Sequence, residues 1–317
     1  MTASRAHYSL VILIGLSAPA SADESADAGA DGDAALIAAQ WLTGPLLAPS
    51  PPPPAHDRFA IEPYVLASRG AGAFDPDGSF TASPKGGDRL IELTVFKYGL
   101  TDNLALQLLP GFARASDGAS GFTDLPVQVE YRWFGRTDTG FWHPSLTTTL
   151  AVTIPIGPYQ HLRDAAEGFG TGAYRASGQV LLQSLFTTFG HVHRLRAWAT
   201  LTQPLESVRV TGVSSYGTAA GYSGTALGGA SRELGIADEF GLDQRWVLAL
   251  DVVQDFARPA HLTELPSGPG NSSFILAPAI EYNFADWIGM IAGVQFTAAG
   301  HNTAAPLVPQ VAVNMFF

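Results

Sequence analysis

The sequence has 317 residues, is 46% hydrophobic yet only 14% charged, carries a net charge of −11 and contains no cysteine. Its mean hydropathy of +0.14 is too low for a bundle of membrane helices, and its charge content is well under the roughly 25% usual for soluble domains. The absent thiols exclude a disulfide scaffold or a thiolate metal site, and the acidic balance argues against a nucleic-acid partner, which requires basic patches.

The first 22 residues read as an export signal. Arg5 and His7 open it, Leu10 to Leu16 form its apolar stretch, and Ala20-Ser21-Ala22 offers small residues for cleavage after Ala22. An uncleaved anchor is the other reading, but the run is well short of the ~20 residues a spanning helix needs. Residues 23–58 read as a disordered, acidic and Pro-rich periplasmic leader. Asp23 to Asp33 is acidic and rich in Ala and Gly, which favours disorder, and Ala34 to Gln40 has room for one or two helical turns. In Trp41 to Pro54, four consecutive prolines impose a stiff polyproline II rod that cannot join a ladder. This stretch reads first as a spacer. The sharper reading is a segment that folds back into a pore or meets a periplasmic partner.

From Phe59 to Phe317 the pattern has a period of two, which puts alternate residues on opposite faces of a strand. Leu125, Val127, Val129, Tyr131 and Trp133 oppose Gln128, Glu130 and Arg132. The same arithmetic sets Ile61 and Val65 against Glu62, Ile91, Leu93 and Val95 against Glu92, and Leu104, Leu106 and Leu108 against Gln107. Leu146, Leu150 and Val152 oppose Thr147 and Thr149, and Val180 and Leu182 oppose Gln179 and Gln183. Weaker strands lie near Leu195 to Gln203 and within Thr225 to Phe240. Trp246, Leu248 and Leu250 then oppose Asp251, Ile280 and Tyr282 oppose Glu281, and Val294 and Phe296 oppose Gln295. These segments predict an all-β fold: a transmembrane antiparallel β-barrel of about 12 strands, with an apolar outer face and both termini periplasmic.

Short links (Gly99 to Asn103, Gly135 to Gly140, Gly241 to Arg245, Ala285-Asp286) alternate with long ones, the last of these predicted at Ala298 to Ala305. Periplasmic turns and exterior loops differ in this way in outer-membrane barrels. The final strand places Val313, Met315 and Phe317 on one face and ends on an aromatic. That pattern resembles the signal read by the barrel-assembly machinery, which is therefore an expected partner, together with outer-membrane lipid and lipopolysaccharide.

The residues predicted to line the lumen are Glu62, Glu92, Gln107, Gln128, Glu130, Arg132, Arg175, Gln179, Gln183, Asp251, Glu281 and Gln295. Charges inside a narrow barrel must pair or stay hydrated. They form either a salt-bridged filling or a constriction that selects solutes, and the sequence leaves both open.

Catalysis is not expected. A nucleophile needs a base and an orienting group within hydrogen-bond reach, and neither a Gly-x-Ser-x-Gly nor a His-x-Ser-Asn stretch occurs; His143-Pro-Ser145 lacks an evident partner. His191 and His193 alternate as a metal pair would, but no third ligand is near and Arg194 and Arg196 suggest a basic periplasmic turn. Asp75-Pro-Asp77-Gly-Ser79 has the spacing of a calcium loop without its closing Glu, so turn chemistry is favoured. No metal or cofactor is expected.

Thr43-Gly-Pro-Leu-Leu-Ala-Pro-Ser-Pro-Pro, then Ile61-Glu-Pro-Tyr and Tyr98-Gly-Leu-Thr-Asp, resemble a family of bacterial outer-membrane proteins assigned as transporters to the MetA pathway of phenol degradation. The resemblance runs from about Trp41 to Phe317 through turn and strand patterns. It implies passive uptake of small, aromatic or hydrophobic molecules across the Gram-negative outer membrane. A structural or adhesive barrel acting through its exterior loops is the alternative reading, and a lipid-modifying outer-membrane enzyme is a second.

Overall fold

In the computed structural model, residues 24–49, 55–82, 88–135 and 140–317 are described. The predicted export signal and most of the polyproline run lie outside them. Twelve antiparallel strands close into a barrel. They are β1 (Phe59–Phe74), β2 (Arg89–Gly99), β3 (Leu104–Leu108 continuing as Gly111–Ala115), β4 (Leu125–Phe134), β5 (Ser145–Ile154) and β6 (Arg175–Thr188). The others are β7 (His191–Pro204), β8 (Ser231–Gly241), β9 (Trp246–Ala257), β10 (Asn271–Ala285), β11 (Ile288–His301) and β12 (Thr303–Phe316). β3 is interrupted at Leu109-Pro110, where proline has no N–H to give. Its register on β2 runs through the break, from Phe96↔Leu108 to Leu93↔Gly111.

Closure is made by β1, which pairs with β2 on one side and β12 on the other. The seam ends in two mutual backbone bonds, Phe59 N–H to Phe317 C=O at 3.2 Å and Phe317 N–H to Phe59 C=O at 2.9 Å, with the two rings stacked 4.9 Å apart. Both ends of the barrel chain therefore meet at one rim, the rim of the short turns. A closed sheet leaves no unpaired edge, so large apolar side chains can point outward: Leu150 is 71% exposed and Leu201 61%. Aromatic pairs border this apolar belt, Tyr131 with Trp133 and Trp246 with Tyr282. That surface matches hydrocarbon bordered by interfacial aromatics at the short-turn rim.

At the opposite rim, loops fold into a second small sheet of Val208–Thr211, Ser223–Leu227 and His261–Leu262. It packs around Ala173, Val208, Val210 and Ala226. The stretch from Thr225 thus enters this sheet first, and β8 starts only at Ser231. The Asp75–Ser79 loop is a turn, its carboxylates accepting from Ser79 N–H and Thr81 Oγ1–H. The predicted long link at Ala298 to Ala305 is instead a tight connection, with Asn302 alone between β11 and β12 at φ 51°.

Two further expectations are corrected. In β2 the faces are reversed: Leu90, Glu92, Phe96 and Tyr98 point outward, while Ile91, Leu93, Val95 and Lys97 point inward. Glu92 pairs with outward-facing Val65 and Phe112, so it is not a lumen residue. The cause is a strand apolar on both sides, where a slip of one residue inverts every side chain. The leader is the second correction. Glu24–Ala39 is a helix, α1, and the segment 41–49 is not a spacer outside the barrel but lies within it.

Candidate functional site

The path of the leader is set by hydrogen bonds that its own backbone cannot make internally. At the short-turn rim, Trp41 N–H donates to Gln244 C=O, and Gln40 Nε2 donates to Asp243 C=O at 2.8 Å. The guanidinium of Arg245 lies 5.7 Å over the Trp41 ring. The chain then enters the lumen in an irregular conformation, so its amides require partners from the wall. Thr43 N–H donates to Glu281 Oε2 at 2.8 Å. Leu46 and Ala48 N–H donate to the two oxygens of Asp251 at 3.0 and 2.8 Å. Thr43 Oγ1 donates to Asn283 Oδ1, and Asn314 Nδ2 donates to Thr43 C=O.

Side chains complete the fit. Leu46 packs with Ala249, Ala277, Ile291 and Ala312, and Leu47 bridges to a second cluster containing Leu181, Trp198 and Ile275. Alanines on the wall leave the width that these leucines occupy. Burying one leucine is worth about 1.5–3 kcal/mol. Gly289 is needed for the approach: a Cβ there would stand 1.9 Å from Thr43 Oγ1.

Around this plug runs a girdle of buried charge. Lys97 Nζ meets Glu130 Oε2 at 2.8 Å, with both side chains almost wholly enclosed. Arg194 forms a two-pronged ion pair with Glu239, and Arg196 Nη2 lies 3.3 Å from Glu239 Oε2. Arg196 also donates to Gln183 Oε1 and to Pro49 C=O. The girdle thus contacts the plug from the cationic side as well as through Asp251 and Glu281.

Beyond the plug, toward the long-loop rim, is a cavity of ≈ 300 Å³ lined by Leu47, Pro49, Tyr64, Leu93, Val95 and Gln128. Gln128 and Gln179 also line a smaller, more polar space of ≈ 160 Å³, with Thr149, Ser177 and Thr200. One wall of the larger cavity is apolar because β2 turns its leucine and valine inward; the others carry the amides of Gln107, Gln128, Gln179 and Gln310 and the carboxylates of Glu130 and Glu233. Gln107 Nε2 donates to Gln128 Oε1, and Gln179 Nε2 donates to Thr200 Oγ1.

Of the predicted lumen residues, Glu62, Gln107, Glu130, Arg132, Asp251 and Glu281 are buried inside the barrel. Gln128, Gln179 and Gln183 line it at intermediate depth. Arg175 pairs with Thr153 and Pro204 at the far end of its strand. Gln295 lies opposite inward-facing Val308, and Glu92 faces outward. The residues not foreseen are Lys97, Arg194, Arg196 and Glu239, whereas Asn283 and Asn314 lie on the inward faces that the alternation gives them. Arg194 and Arg196 were expected in a basic turn, but that turn is only Phe189-Gly190, and both arginines point into the lumen. Their i, i+2 spacing beside a turn was the available signal. Among the described residues no three His, Cys, Asp or Glu side chains gather as metal ligands would.

Asp243, in the β8–β9 turn, accepts from the amides of Arg245 and Trp246 at 2.8 Å each. Those bonds hold its carboxyl below the usual carboxylate range.

No family model matches the chain, and no curated protein does. Among solved structures, an outer membrane channel from Pseudomonas putida F1 aligns over 86% of this chain and 100% of its own, at 15% identity and a TM-score of 0.63. The NanC porin aligns over 80% and 98%, at 8% identity and a TM-score of 0.47. The translocator domain of the autotransporter NalP from Neisseria meningitidis aligns over 92% and 95%, at 12% identity and 0.42. Together with the closed sheet and its apolar belt, the first of these likenesses fixes the architecture: the chain is a twelve-stranded barrel of the outer-membrane type.

Proposed function

We propose that the chain is an outer-membrane channel for passive uptake of small amphipathic molecules, with phenol-like aromatics as the solute class. It is exported with cleavage after Ala22 and assembled through its C-terminal strand, whose outward Val313, Met315 and Phe317 close the seam. The short-turn rim and both termini face the periplasm. The observation that carries this reading is the amphipathic cavity directly above the plug. An apolar wall of Leu93, Val95 and Leu47 faces Gln107 and Gln128 across ≈ 300 Å³, a setting suited to a ring bearing one polar substituent. The paired girdle below raises the barrier to a bare ion. Passage requires the 41–49 segment to withdraw, which breaks its amide bonds to Asp251 and Glu281 and uncovers two leucines.

Liposome swelling with refolded protein tests the reading, using phenol, benzoate, glycerol and a disaccharide as solutes. Phenol should enter fastest and the disaccharide slowest, and removal of residues 24–49 should accelerate all but the largest. Equal impermeability of full-length and truncated protein to every solute would refute a channel.

A further inference from the structure

Near the short-turn rim the outer face holds a group of polar side chains that barrel formation does not explain. His193 and Asp238 lie on β7 and β8, facing away from the lumen, near the short-turn rim. A carboxylate on the outer face is costly where it meets lipid. Asp238 Oδ2 lies 3.0 Å from His193 Nδ1, and Asp238 Oδ1 is buried with no hydrogen-bond partner among the described residues. On the other side of the imidazole, Thr188 Oγ1 lies 2.7 Å from Nε2. The three residues sit on β6, β7 and β8, offset diagonally across the sheet, so strand pairing itself fixes their order.

The imidazole is held in plane. It stacks on Phe186 with centroids 5.0 Å apart at 4° and leans on Phe240 at 5.0 Å. With the Nδ1 proton donated to Asp238, Nε2 presents its lone pair to the Thr188 hydroxyl, which is the tautomer of a general base. Thr188 ends its strand. The next two residues, Phe189 and Gly190, form the turn with φ of 52° and 77°, and among the described residues their amides donate to no turn or loop carbonyl. Thr188 and Phe186 also border a cavity of ≈ 550 Å³ between the barrel and α1, walled by Phe141, Trp142 and Ile37. A hydroxyl, a base, an orienting carboxylate, turn amides beside the hydroxyl and an aromatic-walled cavity thus meet at one spot.

We propose that Thr188, His193 and Asp238 form an acyl-ester hydrolase site on the lipid-facing surface, acting on glycerophospholipid of the leaflet next to the short-turn rim. Thr188 Oγ bonds to the ester carbonyl carbon as its proton passes to His193 Nε2. The turn amides of Phe189 and Gly190 receive the oxyanion. Collapse breaks the bond to the glycerol oxygen, which leaves as the alcohol with the proton from Nε2. Water then repeats the sequence on the acyl-threonine, giving free fatty acid and restoring Thr188. Asp238 is the positioning residue, holding the imidazole tautomer.

The test uses full-length protein refolded into phosphatidylethanolamine vesicles, with released fatty acid measured by mass spectrometry. Wild type and Thr188→Ser should release fatty acid above protein-free vesicles. Thr188→Val should abolish release, and His193→Asn should lower it at least about 100-fold. Asp238→Asn should lower kcat with KM unchanged, which loss of fold would not do. Heat-modifiable mobility on gels confirms that each variant is folded. No release by wild type, or release that Thr188→Val and His193→Asn leave unchanged, would overturn the proposal. Conductance measured on the same vesicles reports the channel separately, so failure of one activity is distinguishable from failure of the other.

Discussion

Asp251→Asn is the sharpest probe of the plug. The carboxylate accepts from both Leu46 and Ala48, one amide on each oxygen. The substitution keeps the volume, converts one acceptor into an amide donor and removes the charge from the other. A hydrogen bond to a charged group contributes about 1.5–3 kcal/mol, and about 1.4 kcal/mol is tenfold in an equilibrium. The withdrawn state of the 41–49 segment should therefore gain about 10- to 100-fold in population. Planar-bilayer recording reads this as a matching rise in open probability at unchanged open-state conductance. Recordings of Asp251→Asn indistinguishable from wild type, alongside an opened channel on removal of 24–49, would show that Asp251 is not the anchor. No change in either protein would refute the plug as the barrier.

Gly289→Ala should act on the same equilibrium from the other end, because its Cβ would displace Thr43; open probability should rise in the same recordings. Lys97→Met strands Glu130 inside the wall and should cost about 3–5 kcal/mol, measured as a lower urea midpoint for loss of heat-modifiability. Glu92→Gln should leave ion selectivity unchanged because that side chain faces outward, whereas Glu62→Gln, inside the barrel, should shift the reversal potential toward anions. For Asp243, the folded carboxyl is depressed, so its contribution to the turn is complete above the unfolded value and is lost as pH falls through the folded one. Amide exchange at Trp246, whose N–H it accepts, should accelerate below about pH 4 and be insensitive to pH in this way in Asp243→Asn.

The barrel was legible because period-two alternation is a direct consequence of one wet and one greasy face, and every predicted strand core falls within one of the twelve strands. Face assignment failed only where both faces are apolar, as in Leu90 to Phe96, where nothing in the spacing chooses between registers. The girdle was half legible. Carboxylates and glutamines opposite apolar runs stood out, but Lys97 was hidden by the inverted strand. Arg194 and Arg196 were hidden by their closeness to a turn that proved to be two residues long. The plug could not be read from Trp41 to Pro49 alone, since its partners Asp251 and Glu281 are more than 200 residues away. Thr188 and Asp238 escaped for the same reason: only pairing of both flanking strands with β7 brings them to His193.

The plug precedes the first strand in the same polypeptide, and this sets how it competes. A stopper on its own tether is never diluted; its local concentration is in the millimolar range whatever the abundance of the protein. A free peptide copying residues 41–49 would have to reach that concentration to seal a truncated barrel as completely as the tether does, and reclosure of the intact protein is a first-order event. Each barrel therefore shuts on its own clock, indifferent to how many others share the membrane.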